Sequence, residues 1–177
     1  MPGNDVVLTI DGPLQRYLET EMEDLRGGIV VINNQNGEII SLVSKPDYDP
    51  EIFSKPIPSD VWRDLNNPET NALFDRVLKG TYPPGSPYKL ITAIAGLQTG
   101  RLDRQWTSTC NGGLRLGRRY FKCWFGQGHG TVNLQQAIER SCNVYFFRAI
   151  QKVGFGAWVD YSRRFRFGQK TFIDLPR

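Results

Sequence analysis

Proline divides this chain before anything else does. Pro46, Pro50, Pro56 and Pro58 follow one another closely. Each fixes φ and removes a backbone donor, so no continuous helix or central strand can run from Lys45 to Pro58, and a long surface loop is predicted. Pro83-Pro84-Gly85 closes a second such segment, from Gly80 to Gly85. Regular structure has to be built before, between and after these breaks.

Before the first break, Val6–Ile10 is β-rich and is read as a strand, although its alternation is weak. Asp11-Gly12-Pro13 then reads as a helix start, with Asp11 as N-cap, leading into Leu14–Leu25 and stopping at Gly27-Gly28. Two β-branched runs, Gly28–Asn33 and Glu38–Ser44, flank Asn34-Gln35-Asn36-Gly37 and predict a hairpin. Short helices are expected at Asp60–Leu65 and Ala72–Leu78. After the second break a helix opens at Ser86-Pro87 and runs to Gly100, apolar on so many sides that it must be central and buried. Residues 110–130 read as a hairpin or irregular excursion. Asn133 with Gln136 forms a capping box for a helical pattern that Gly154 ends, and a last helix covers Ala157–Phe165. Strand, helix and hairpin followed by helices give an α+β class.

Hydrophobic residues make up 40% of the 177 and charged residues 23%, the balance of a globular chain with one core of ordinary domain size. The net charge of +4 is modest. Its basic clusters, Arg115–Lys122 and Arg163–Arg166, are read as solvated faces, with attraction to an anionic partner as the weaker alternative. No nucleic-acid motif accompanies them, so nucleic acid is not an expected partner. No run reaches the roughly 18 apolar residues that span a bilayer, and Met1-Pro2-Gly3-Asn4 has no signal-peptide character.

Chemistry concentrates in two short motifs. Ser86-Pro87-Tyr88-Lys89 is an S-x-x-K pattern in which Pro87 places Ser86 at a helix N-terminus, where backbone N–H groups favour developing negative charge. Lys89 lies one turn on, on the same face. A serine hydroxyl becomes a good nucleophile when a nearby base takes its proton, and a desolvated lysine can be that base. By itself the pattern also fits a serine cap beside an exposed lysine. Ser141-Cys142-Asn143 falls where the helical pattern is interrupted after Glu139-Arg140; a hydroxyl there could relay a proton and the amide could hold Lys89, or the triplet could be a kink.

S-x-x-K followed by S-x-N matches the first two of the three motifs of β-lactamases and penicillin-binding proteins. With Leu8-Thr9-Ile10-Asp11, Val43-Ser44-Lys45-Pro46, Tyr48-Asp49-Pro50, Tyr82–Lys89, Gly128-His129-Gly130 and Ile173-Asp174-Leu175-Pro176, the chain resembles the transpeptidase domain of class B penicillin-binding proteins of the cell-elongation type over nearly its whole length. The resemblance implies part of a penicillin-binding, serine β-lactamase-like α+β fold. It implies a serine D,D-transpeptidase that cross-links peptidoglycan stem peptides and is acylated by β-lactams. Ser86 would be the nucleophile, Lys89 the general base, Ser141 the proton shuttle and Asn143 the group orienting lysine and substrate. It further implies a periplasmic location on the inner membrane through an anchor outside these residues, with elongation proteins and a lipid II polymerase as partners. A non-catalytic β-lactam sensor or scaffold of the same fold is the alternative.

The third motif, K-T-G, is missing. Lys170-Thr171-Phe172 imitates it but lies directly before Ile173-Asp174-Leu175-Pro176, which in the family precedes the true motif by a long stretch. Residues 1–177 are therefore expected to be an incomplete transpeptidase domain, without the K-T-G-bearing sheet.

All three cysteines and the single histidine, Cys110, Cys123, His129 and Cys142, fall within one window. Cys3His is a structural zinc set; a Cys110–Cys123 disulfide, or no relation at all, are the competing readings. Some relatives resemble this chain in carrying zinc near S-x-N, with partly aspartate ligands.

Overall fold

The structure is a computed structural model in which residues 3–173 and Leu175 are described; Asp174 and Pro176 of the C-terminal motif lie outside the described residues. The chain forms two compact units, the first reaching Tyr82 and the second beginning at Pro83.

In the first unit Asp11 caps helix α1 (Gly12–Glu21), its carboxylate accepting from the Leu14 amide at 2.9 Å. The hairpin forms as expected from β1 (Gly27–Ile32) and β2 (Ile39–Lys45), antiparallel, with a register shift at Val31/Ile32. Gln15 fastens α1 to β2 like an extra rung. Its Oε1 accepts from Ser41 Oγ (2.7 Å) and the Leu42 amide (2.9 Å), and its Nε2 donates to the Leu42 carbonyl (2.9 Å). The proline-rich segment holds one 3₁₀ turn, Pro50–Ser54, before α2 (Ser59–Leu65).

Two expectations fail here. Residues 6–10 form no strand: Val6, Val7 and Leu8 are exposed, and the segment is tied through Thr9 Oγ1 to the Ile39 carbonyl and, just after it, through the Asp11 amide to the Ile40 carbonyl. β-branched residues favour a strand only where a pleated, half-buried surface receives them. Residues 72–78 are turns rather than a helix. Asp75 takes the Val77 and Leu78 amides on its own carboxylate, and the buried Arg76 guanidinium donates to the carbonyls of Thr70, Asn71, Phe74 and Pro46. Side chains thus satisfy the backbone groups that a helix would have paired.

The second unit opens with a 3₁₀ turn, Ser86–Tyr88, which passes directly into α3 (Lys89–Gln98). As anticipated α3 is central: Ile91, Thr92, Ala93, Ala95 and Gly96 are buried. The excursion resolves into two nested hairpins. The outer one pairs β3 (Ser108–Cys110) with β6 (Gly130–Val132); the inner one pairs β4 (Gly113–Leu116) with β5 (Arg119–Lys122). The capping box at Asn133/Gln136 starts α4 (Leu134–Glu139); α5 (Asn143–Val153) follows after a break, and α6 (Phe155–Arg164) after Gly154. α5 supplies the heart of the core, with Val144, Tyr145, Ala149 and Val153 fully shielded, and packs against α3. Lys170-Thr171-Phe172 lies in irregular chain beyond α6, not on a strand. Among the described residues no helix is long and apolar enough to cross a membrane.

Candidate active site and metal cluster

Ser86 is exposed at the mouth of the second unit because the residue before it takes a conformation few side chains tolerate. Gly85 has φ 64° and ψ −147°, a region essentially reserved for glycine. The chain can thereby turn sharply into the 3₁₀ turn, closed by the Tyr88 amide on the Gly85 carbonyl at 3.1 Å, and present the Ser86 hydroxyl at the positive end of the helical segment.

The second motif is delivered by the break between α4 and α5. Ser141 sits at φ 47°, a left-handed conformation that costs a non-glycine residue on the order of 1–2 kcal/mol. Cys142 returns to an extended conformation as N-cap of α5, and Asn143 is that helix's first residue. The left-handed turn sends three consecutive side chains in useful directions. The Ser141 hydroxyl and the Asn143 amide go to the lysine, and the Cys142 thiol goes to the interior.

All four motif residues come together. Lys89 Nζ lies 2.8 Å from the Ser141 carbonyl, 2.8 Å from Ser141 Oγ, 2.7 Å from Asn143 Oδ1 and 3.2 Å from Ser86 Oγ. Ser141 Oγ donates to Ser86 Oγ at 3.0 Å. Four oxygens surround a group with at most three hydrogens. The Ser141 carbonyl and Asn143 Oδ1 can only accept, so a neutral amine spends its two N–H bonds on them. Its lone pair is then left for a hydroxyl hydrogen, and with Ser141 Oγ donating to Ser86 Oγ that hydrogen is the one on Ser86. Burial pushes the Lys89 ammonium down from its ordinary value, opposed by the negative charge available on Cys123 and Cys142; the Phe146 ring, 5.8 Å away, also favours the charged form. Desolvation outweighs both, in the direction a general base needs.

Sequence reading missed what holds this turn from behind. Tyr88, between the two S-x-x-K residues, places its ring edge-to-face against Trp158 of α6 at 5.3 Å and Phe167 at 4.9 Å, and its hydroxyl lies 2.5 Å from Ser162 Oγ. Ser162 sends its own proton to the Trp158 carbonyl at 2.7 Å, so Tyr88 is the donor. The aromatic character of position 88 was the available signal; its partners, 70 or more residues away in sequence, were not. Asn143 is supported in a similar way, its Nδ2 donating to the Lys122 carbonyl of β5 at 3.3 Å.

The four metal-set residues also converge. The Sγ atoms of Cys110, Cys123 and Cys142 and a ring nitrogen of His129 all lie within 4.8 Å of one another, and the three thiols are free and buried. Cys123 Sγ and His129 Nδ1 are 3.5 Å apart. In a tetrahedron with zinc–sulfur and zinc–nitrogen bonds of about 2.3 and 2.05 Å, that edge measures about 3.5 Å. The protonation trends suit a cation at two of the ligands. Burial alone would push the Cys123 thiol up, but backbone N–H groups of Phe125, Asn143 and Val144 outweigh it and bring the thiol down. Burial, with Arg140 and Lys89 nearby, brings His129 down toward the neutral imidazole. Burial pushes Cys142 up to about 12, so a metal has to displace its proton. His129 Nε2 is buried without a hydrogen-bond partner, which leaves Nδ1 as the nitrogen directed at the thiols. The residues fit a closed, four-ligand metal site.

Known proteins resemble this chain in sequence and fold. The chain is 36% identical over 176 residues to the peptidoglycan D,D-transpeptidase MrdA of Acinetobacter baumannii, covering 98% of this chain but 26% of that protein. It superposes on PBP2 of Pseudomonas aeruginosa, solved in complex with WCK 5153, with a TM-score of 0.88 at 36% identity, over 96% of this chain and 39% of that one. It superposes likewise on the Helicobacter pylori PBP2 solved as a complex with MreC, with a TM-score of 0.89 at 31% identity, over 95% of this chain and 32% of that one. The chain thus spans about a quarter of the length of its curated relative. Residues 27–177 match the family described as the penicillin binding protein transpeptidase domain, and with both motif residues of each pair in hydrogen-bonding reach, the chain belongs to that family.

Proposed function

We propose that this chain is the nucleophile-bearing part of a peptidoglycan D,D-transpeptidase of the elongation type, acting through a serine acyl-enzyme and inactivated by β-lactams. The observation that carries the reading is the lysine amine held by Ser141 and Asn143 within 3.2 Å of the Ser86 hydroxyl. Ser86 Oγ attacks the carbonyl carbon of the penultimate D-Ala while its proton passes to Lys89 Nζ. The Ser86 backbone N–H, at the helix start, stabilises the oxyanion. As the C–N bond breaks, Ser141 Oγ gives its proton to the departing D-Ala amine and is reprotonated by Lys89. An acceptor amine then attacks the ester, its proton retraces the same path, and Ser86 Oγ leaves with a hydrogen restored. Asn143 keeps the lysine in place through both halves.

The second oxyanion donor and the carboxylate-binding strand belong to a K-T-G motif that these 177 residues do not contain, so the chain acts as part of a longer transpeptidase domain. Cys110, Cys123, His129 and Cys142 hold zinc in a structural role: four protein ligands leave no open position, and the ion would add folding energy around the S-x-N backbone. The MreC complex of the H. pylori relative supports a partner of that kind here; a lipid II polymerase as a further partner and the periplasmic face of the inner membrane as the location rest on the family resemblance.

The test is labelling of the full-length protein with a fluorescent penicillin, followed by peptide mapping. A covalent adduct on Ser86 that is absent from Ser86→Ala supports the reading; label persisting in that variant overturns it. Transfer of the acyl group from a D-Ala-D-Ala peptide to an added amine separates a transpeptidase from a sensor of the same fold, which would be acylated without transfer.

A further inference from the structure

The inner hairpin carries a surface that the chemistry above leaves unused. β4 and β5 pair Gly113 with Lys122, Leu114 with Phe121, Arg115 with Tyr120 and Leu116 with Arg119, joined by the two-residue turn Gly117-Arg118. Gly117 has φ 56°, and glycine at the first position of such a turn matches the right-handed strand twist. Because side chains alternate across a sheet, Leu114 and Phe121 share one face. That face turns inward: Leu114 packs on the core and Phe121 meets Phe147 of α5 at 5.5 Å. The other face, with Arg115, Tyr120 and Lys122, is exposed. There the Tyr120 ring lies across Gly113, where any Cβ would meet it at 2.3 Å, and the Arg115 guanidinium sits 6.0 Å from its centre.

Charge on this hairpin is of one sign. Arg115, Arg118, Arg119 and Lys122 are cations, and no aspartate or glutamate occurs anywhere from residue 104 to residue 138. Among the described residues none of these cations makes an ion pair. An ordinary solvated face mixes signs; a one-sign surface concentrates anions near it and speeds their arrival. The surface is also anchored to the reaction site. The carbonyl of Lys122, at the hairpin's base, is the acceptor for Asn143 Nδ2, and Asn143 Oδ1 holds Lys89.

We propose that the outer face and tip of the β4–β5 hairpin dock the carboxylate-bearing part of the peptide substrate, upstream of the bond that Ser86 opens. This rests on the transpeptidase reading and deepens it: the hairpin selects peptides with free carboxylates, and the Tyr120 ring supplies an apolar platform between the cations. Recognition is electrostatic and exposed, so it weakens as salt shortens the screening length.

The experiment compares, in the full-length protein, two synthetic peptides ending in D-Ala-D-Ala, one with free side-chain carboxylates upstream and one with those groups amidated. The variant is Arg115→Glu/Arg118→Glu/Arg119→Glu, which leaves the Lys122 backbone contact alone. The expected result is a fall of about tenfold in kcat/KM for the carboxylate peptide at low salt, shrinking as salt is raised, with less than about a twofold change for the amidated peptide and for Ser86 acylation by a β-lactam. If the reversed variant loses β-lactam acylation, the Arg→Gln triple variant takes its place, with about half the effect in logarithmic terms expected. An equal loss on both peptides, or no loss on either with β-lactam acylation intact, overturns the docking role. Failure of the unmutated protein to acylate at Ser86 overturns the transpeptidase reading itself.

Discussion

Two clusters meet at residues 141–143 and are built on opposite terms. The oxygen-and-amine cluster of Ser86, Lys89, Ser141 and Asn143 opens to solvent at Ser86 and is held by hydrogen bonds of 2.7–3.2 Å. The thiol cluster is shut inside, its three cysteines buried beside fully shielded residues of α5. Lys89 can exchange protons because one side of it is wet; Cys142, which burial pushes up to about 12, keeps its proton unless a cation replaces it. A reactive site thus tolerates exposure because its partners are polar, while its scaffold is fixed where no water competes.

Removing the nucleophile should separate the clusters most sharply. Ser86→Ala in the full-length protein is expected to abolish penicillin labelling while leaving metal content and thermal midpoint within error; an accompanying fall in zinc would mean that the two clusters are one cooperative unit.

Lys89→Met comes next, with acylation slowed by roughly 10²–10⁴. In the unaltered protein the acylation rate should rise with pH, since the free amine is the active form, and the midpoint of that limb should lie below the ordinary lysine value of about 10.4, in the direction that burial pushes Lys89. A limb at or above the ordinary value would assign the base elsewhere.

On the buried side, His129→Ala should cost about 3 kcal/mol, or roughly 6–12 °C in thermal midpoint for a domain of this size. Acylation should slow only as far as the S-x-N backbone loosens. Calorimetry and elemental analysis check this together. Zinc below about a tenth of an equivalent in the unaltered protein, with a Cys110–Cys123 bridge in the mass spectrum, would replace the metal reading with the disulfide one. Because Cys142 is pushed up to about 12 without a cation, zinc must expel a proton there, and its apparent affinity should fall as pH is lowered.

The smallest effect belongs to Tyr88→Phe. It keeps both ring contacts and removes one neutral hydrogen bond, worth about 1 kcal/mol or 2–4 °C, and should slow acylation by less than about tenfold. A loss as large as that of Lys89→Met would mean that the phenol takes part in the chemistry rather than in positioning.

Local rules carried much of this. Asp11 and the Asn133/Gln136 box announce their helices because a cap is satisfied within three residues, and the Gly28–Ser44 hairpin is legible because turn and strand signals agree. The four motif residues were legible by type and order, and the Cys3His set by crowding in one window. The failures share a cause. Arg76 and Asp75 redirect residues 70–78 through contacts that leave no trace in periodicity. Residues 6–10 have strand composition but no surface to receive them. The Tyr88–Ser162 tie joins positions with nothing between them in pattern.

The left-handed Ser141 has a consequence for how the chain can change over generations. Its φ of 47° makes hydroxyl, thiol and amide alternate toward two unlike compartments, with no spacer residue between them. Adding or deleting one residue anywhere from 140 to 143 would turn the thiol toward the lysine and the hydroxyl toward the cysteines, disabling both compartments at once. Length variation is therefore closed to this junction, and gaps among descendants of this chain should gather at the exposed Gly117-Arg118 turn instead.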